Sequence, residues 1–181
     1  APKLVEDLVP GKLPLGTVTK VLQNLLDESV VIRDMKTIVE TLSDECAKTQ
    51  DAEQLTNLVR PKLGRMIVQN LVDTEETLEV MTLDPELEQL LHNVLQQNQG
   101  NQEVILEPGL AEGLFKSLRE STQGVEDQGK PAVLVVSPPI RSWLSRAAKH
   151  RITELTVLSY SEIPDDQSVK VIQTIELNAK N

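Results

Sequence analysis

The sequence predicts an α+β protein: a helical subdomain over residues 1–75, then a small α/β subdomain with a mixed sheet over residues 76–181. Three observations carry this. From Leu4 to Leu71 apolar residues recur at helical spacing. After Glu76 the pattern changes to short β-branched runs alternating with helical stripes. The run Ala132 to Val136, A-V-L-V-V, is apolar at every position, which fits a strand covered on both faces in the middle of a sheet.

In the first part, Leu4, Val5, Leu8 and Val9 form a short stripe that Pro10-Gly11 ends. Val18, Val21, Leu22, Leu25 and Leu26 then repeat at i, i+3, i+4, i+7 and i+8 and predict a helix from about Thr17 to Asp27. Met35, Ile38, Val39 and Leu42 predict a third, from about Arg33 to Ala47. Asp51 with Gln54 three residues on is a capping-box signal, and Leu55, Leu58, Val59, Leu63, Met66, Ile67 and Leu71 continue a stripe from it. Pro61 lies within that stripe and predicts a kink, because it removes a backbone donor and clashes with the preceding turn.

In the second part, Leu78, Val80, Met81 and Leu83 suggest a strand, and Asp84-Pro85 supplies an N-cap with proline at the first helical position. Leu87, Leu90, Leu91, Val94 and Leu95 carry that helix until the polar run Gln96 to Gln102. A short apolar Val104-Ile105-Leu106 follows. Pro108 opens a helix carrying Leu110, Leu114, Phe115 and Leu118, and Ser121 to Lys130 reads as a flexible loop by composition. After Ala132 to Val136, Ser137 and Pro138 start a helix with Ile140, Trp143, Leu144 and Ala147 inward. Leu155 to Tyr160 forms a strand parallel to the previous one. Val169, Val171, Ile175 and Leu177 alternate with polar residues and predict an antiparallel edge strand.

Composition narrows the function. The formal charge is -10 and the only aromatic residues are Phe115, Trp143 and Tyr160, so the chain repels phosphate and lacks stacking platforms; no nucleic-acid partner is expected. The single Cys46 excludes an intrachain disulfide and reads as a packing residue, and His92 and His150 are not at metal-ligand spacing. No cofactor is expected. No apolar run approaches the roughly 18 to 20 residues of a membrane span, and a start without Met predicts a piece of a longer protein.

Three places are candidates for chemistry. Glu162, Asp165 and Asp166 follow a strand end, where open sheets place sites, and are the alternative reading as a metal-dependent hydrolase. With Pro164 among them, the same residues are what a turn requires, and the turn is favoured. Ser137 lies between strand and helix, but Pro138 and Pro139 remove two N–H groups that an anion site would use, which favours a helix cap. Arg141, Arg146, Lys149, His150 and Arg151 are the most basic stretch of an acidic chain, suited to an acidic partner or to the end of a helix dipole. No nucleophile and base stand together, so an enzyme is disfavoured.

The ordered motifs P-K-L-V-E-D-L-V-P-G (Pro2 to Gly11), K-V-L-Q-N-L-L (Lys20 to Leu26), I-R-D-M-K-T-I-V-E-T-L (Ile32 to Leu42), L-E-P-G-L (Leu106 to Leu110), V-L-V-V-S-P-P-I-R (Val133 to Arg141) and V-L-S-Y-S-E-I-P-D-D (Val157 to Asp166) cover nearly the whole chain. Together they resemble the last two cytoplasmic subdomains of the bacterial export-gate family of flagellar and virulence type III secretion systems. The resemblance implies a non-enzymatic component of the flagellar type III protein export gate. Its parent would lie in the bacterial inner membrane, with this piece on the cytoplasmic side. The implied partners are other flagellar export-apparatus proteins, export substrates and chaperones, with self-association of the parent in a ring. The I-R-D-M match places Arg33 and Asp34 on the subdomain that the family uses in ring contacts; with Arg141 and Arg146 they are the protein-interface candidates. Because part of the ring surface would lie on subdomains missing here, the isolated chain is expected to be mainly monomeric.

Overall fold

A computed structural model of the chain describes residues 2–98, 104 and 106–177. Residues 99–102 of the polar run and Ile105 lie outside the described residues. The fold is α+β and divides into two compact units: Ala1–Asn70 with Ser161–Pro164, and Leu71–Tyr160 with Asp165–Asn181. Among the described residues no helix is long and apolar enough to cross a membrane.

The first unit contains α1 (Pro2–Leu8), α2 (Leu15–Asp27), α3 (Met35–Glu45), α4 (Ala52–Val59), a 3-10 turn (Arg60–Leu63) and α5 (Gly64–Gln69). α1 packs on α3, and α4 packs on both α2 and α3. The apolar stripes read from the sequence supply the core, with Leu8, Val21, Leu25, Ile38, Leu42 and Leu55 buried. α3 begins at Met35 and not at the expected Arg33 because Asp34 caps it: its Oδ1 accepts from Thr37 N at 3.1 Å. Asp51 likewise accepts from Gln54 N at 3.0 Å, while Gln54 Oε1 accepts from Thr49 Oγ1 at 2.6 Å, so the reciprocal half of the capping box runs through Thr49. The long stripe after Asp51 is not one kinked helix. Pro61 cannot donate to the helical ladder, and the backbone tightens to the 3-10 turn before resuming as α5.

The second unit contains β1 (Leu78–Leu83), α6 (Pro85–Gln97), α7 (Pro108–Asp127), β2 (Ala132–Val136), α8 (Pro138–Ala148), β3 (Leu155–Ser159) and β4 (Val169–Ile175). The sheet order is β3-β2-β1-β4 and every pairing is parallel. Leu87 and Leu91 of α6, Leu114, Phe115 and Leu118 of α7, and Ile140 and Leu144 of α8 pack with Met81, Leu134 and Val157 in one core. All five β2 residues are buried, as their uniform apolarity requires.

Two expectations are corrected here. Ser121 to Asp127 is not loop but the last two turns of α7, because Ser121, Thr122 and Val125 are buried and Gly124 costs a helix only about 1 kcal/mol. The stop follows the C-cap Gln128, at Gly129, whose φ of 76° is the left-handed geometry that commonly ends a helix; its N–H donates to the Glu126 carbonyl. β4 is an edge strand but runs parallel, not antiparallel, so the sheet is not mixed. The chain does not turn back beside β3; residues 160–168 carry it to the opposite edge, where Leu78 N donates to Ser168 O and Gln167 Nε2 to Glu76 O. A register shift opposite Val80/Met81 leaves Ile172 without a ladder partner. The bulge breaks the alternation: Val169 and Val171 are exposed, while Ile175 is buried in the core and Ile172 packs against it.

Candidate functional site

The most concentrated chemistry among the described residues is a buried ionic centre in the helical unit. Where α4 gives way to the 3-10 turn, Arg60 still donates its backbone N–H to Thr56 O, and its side chain is only 2% exposed. Its Nε and Nη2 each donate at 3.0 Å to the two oxygens of Glu162, which is 3% exposed and belongs to the 3-10 turn Tyr160–Glu162 after β3. Such a fork-to-carboxylate pairing is planar and doubly hydrogen-bonded. On its other side, Arg60 Nη1 lies 3.6 Å from Glu28 Oε2 at the end of α2. Burial by itself would depress the guanidinium pKa; the hydrogen bonds and charge of Glu162, then the charge of Glu28, outweigh it and hold the group above its ordinary value. Gly64 completes the centre, since a Cβ there would fall on the Glu162 carbonyl. No side chain is compatible with that approach.

Both oxygens of Glu162 are committed to a permanent cation, so it is neither a base nor an open metal ligand, and the hydrolase reading loses its first residue. Asp165 and Asp166 are exposed. Among the described residues no three His, Cys, Asp or Glu side chains are grouped to hold a metal ion. Arg60 was invisible to motif reasoning, yet it carried a signal: a charged residue placed between Val59 and Leu63 in an apolar helical stripe.

The interface candidates fall in different settings. Arg33 is exposed, and Asp34, also exposed, serves as the α3 cap; the Thr37 hydroxyl and then the Thr37 N–H hold its pKa below the ordinary carboxylate value. Arg146 is exposed in the last turn of α8. Arg141 is buried, with Nη1 3.4 Å from the Val157 carbonyl, a bond that joins α8 to β3, so its charge is not displayed on a surface. Arg151 lies over the Phe115 ring at 4.4 Å. Ser137 occupies the N-cap of α8 without bonding the helix through its side chain; its hydroxyl meets Tyr160 instead. The Tyr160 hydroxyl donates to Glu88 Oε1 at 2.8 Å, and partial burial, then that bond, raise its pKa. In the α/β unit an open groove of about 740 Å³ runs between α6 and α7, with Leu90, Val94, Leu110 and Leu177 on its walls.

Comparison with known proteins gives this geometry a context. The FHIPEP family profile matches residues 1–168. The flagellar biosynthesis protein FlhA of Escherichia coli K12 is 44% identical over 174 residues, which is 96% of this chain and 24% of that protein. Among solved structures, that of the Chlamydia pneumoniae CdsV and CdsO protein complex matches 97% of this chain and 51% of its counterpart, with a TM-score of 0.86 at 26% identity. The nonameric EPEC SctV-C matches 96% of this chain and 52% of its own, with a TM-score of 0.84 at 25% identity. The chain thus spans about a quarter of the E. coli protein and about half of each solved chain.

Proposed function

The chain belongs to the FHIPEP family, and on that premise we propose that it is a non-enzymatic piece of a flagellar type III export gate that works through protein contacts. The observation that carries this is the 44% identity to E. coli FlhA across almost the entire chain. In this reading the parent protein sits in the inner membrane with the present residues on its cytoplasmic side. The piece helps to build a ring and to dock export-apparatus proteins, export substrates and their chaperones. Two likenesses support the finer terms: one fold relative is a nonamer, and another is in complex with CdsO. Exposed Arg33 and Arg146 are the interface residues of this reading, and Asp34 shapes the α3 end beside Arg33.

The test is genetic. Exchanging this chain for the matching region of E. coli FlhA should restore flagellin secretion, and Arg33→Ala or Arg146→Ala in the chimaera should reduce it. A chimaera that accumulates at the normal level in the membrane yet exports nothing would overturn the proposal. Light scattering of the isolated chain at micromolar concentration should return the monomer mass, 20.1 kDa. A stable nonamer would place the ring determinants within these residues.

A further inference from the structure

We propose that the exposed face of α7 is a docking site for a short protein segment that is acidic at one end and apolar at the other. The inference deepens the reading of this chain as a docking piece and rests on it. In the α/β unit, Lys116 and Arg119 of α7 and Arg151, just after α8, line one hollow of about 790 Å³. All three are exposed, and among the described residues none makes an ion pair or a hydrogen bond through its side chain. Arg151 is held in place by its stack on Phe115, a buried ring in the lining of the hollow. Stacking covers one face of the guanidinium and leaves its N–H edge for a carboxylate. Arg119 lies one helical turn from Phe115, so two such forks border the same hollow.

Two features define the occupant. The same Lys116 also lines the apolar groove between α6 and α7, along Leu110, Val94 and Leu90, of which Leu90 is 42% exposed. Cations and apolar wall therefore form one continuous surface. It suits a segment whose carboxylates meet Arg119 and Arg151 and whose apolar side chains continue along the groove. Charge decides against other anions. The chain carries -10 overall, and a long polyanion or an anionic membrane would meet that whole field. A short segment meets only the charges within a Debye length, roughly 8 Å at physiological salt. Glu112 and Glu120, one turn to either side of Lys116 in the same lining, repel further negative charge and confine the carboxylates to the middle of the hollow.

Fluorescence anisotropy with the full chain and a labelled synthetic peptide, a glutamate cluster followed by leucines alternating with serines, tests this. The peptide should bind saturably, and exchanging its glutamates for glutamine should weaken binding about tenfold. Arg119→Gln in the chain should weaken it about threefold, whereas Lys170→Gln, which removes the same charge from exposed β4, should leave it unchanged. Leu90→Ser should weaken the glutamate and glutamine peptides by the same factor, because it acts on the groove alone. No binding at about 1 mM peptide, equal losses in Arg119→Gln and Lys170→Gln, or displacement of the peptide by inorganic phosphate or by phosphatidylglycerol vesicles overturns the proposal. The secretion chimaera separates the two readings. If it exports while the peptide fails to bind, only this site is removed; if the peptide binds while the chimaera exports nothing, only the export-gate reading is removed.

Discussion

β2 and β4 lie in one sheet on either side of β1, yet they obey different logic. β2 is apolar at all five positions and buried at all five, and local composition is enough to place it at the centre. β4 is equally rich in valine and isoleucine, but Val171 is 54% exposed, the register shifts at Ile172, and the strand is reached through a segment pinned by Arg60. Uniform burial leaves a strand one choice. A strand at an edge takes its direction and its face from partners about ninety residues away.

That contrast is open to mutation. The largest effect should come from Arg60→Met, which leaves Glu162 buried without its cation and should cost about 3–5 kcal/mol in chemical denaturation. Glu162→Gln should cost clearly less, because Arg60 retains Glu28; equal costs would mean that Glu28 contributes nothing. Next, Leu134→Ala in β2 should cost about 2–5 kcal/mol through the cavity it leaves, and Val135→Ala should also be clearly destabilising. On the edge strand, Val171→Ala and Lys170→Ala should each stay within about 0.5 kcal/mol. A β4 variant as damaging as the β2 variants would remove the distinction between the strands.

The smallest effect concerns the α3 cap. Asp34 has a folded-state pKa below its unfolded value, since its hydrogen bonds to Thr37 favour the carboxylate. Its contribution is therefore complete above the unfolded pKa and is lost as pH falls through the lower folded one. Asp34→Ala should flatten stability in that acidic window alone. An unchanged pH profile there would show that the cap is not charge-dependent.

The parts of the fold legible in the sequence were those written in a few adjacent residues. Asp84-Pro85 started α6, Asp51 capped α4, and the apolar stripes of α2 and α3 lined the helical core. Ser121 to Lys130 reads as a loop because its serine, threonine and glycine resemble one, whereas α7 buries Ser121, Thr122 and Val125 as it continues to Asp127. The ionic centre was half visible. Glu162 reads locally as a turn residue, but a bidentate partner 102 positions away leaves no local pattern.

The sequence by itself determined the α+β class, the places where helices begin, and the strands buried on both faces. Capping, helical periodicity and apolar density act over one to a few turns and need no distant partner. The tertiary structure decided the direction of β4, the bulge at Ile172, the burial of Arg141 and the pairing of Arg60 with Glu162. The same residue types satisfy a turn, an exposed edge or a buried salt bridge locally, and what separates these outcomes is the desolvation and hydrogen bonding contributed by chain remote in sequence.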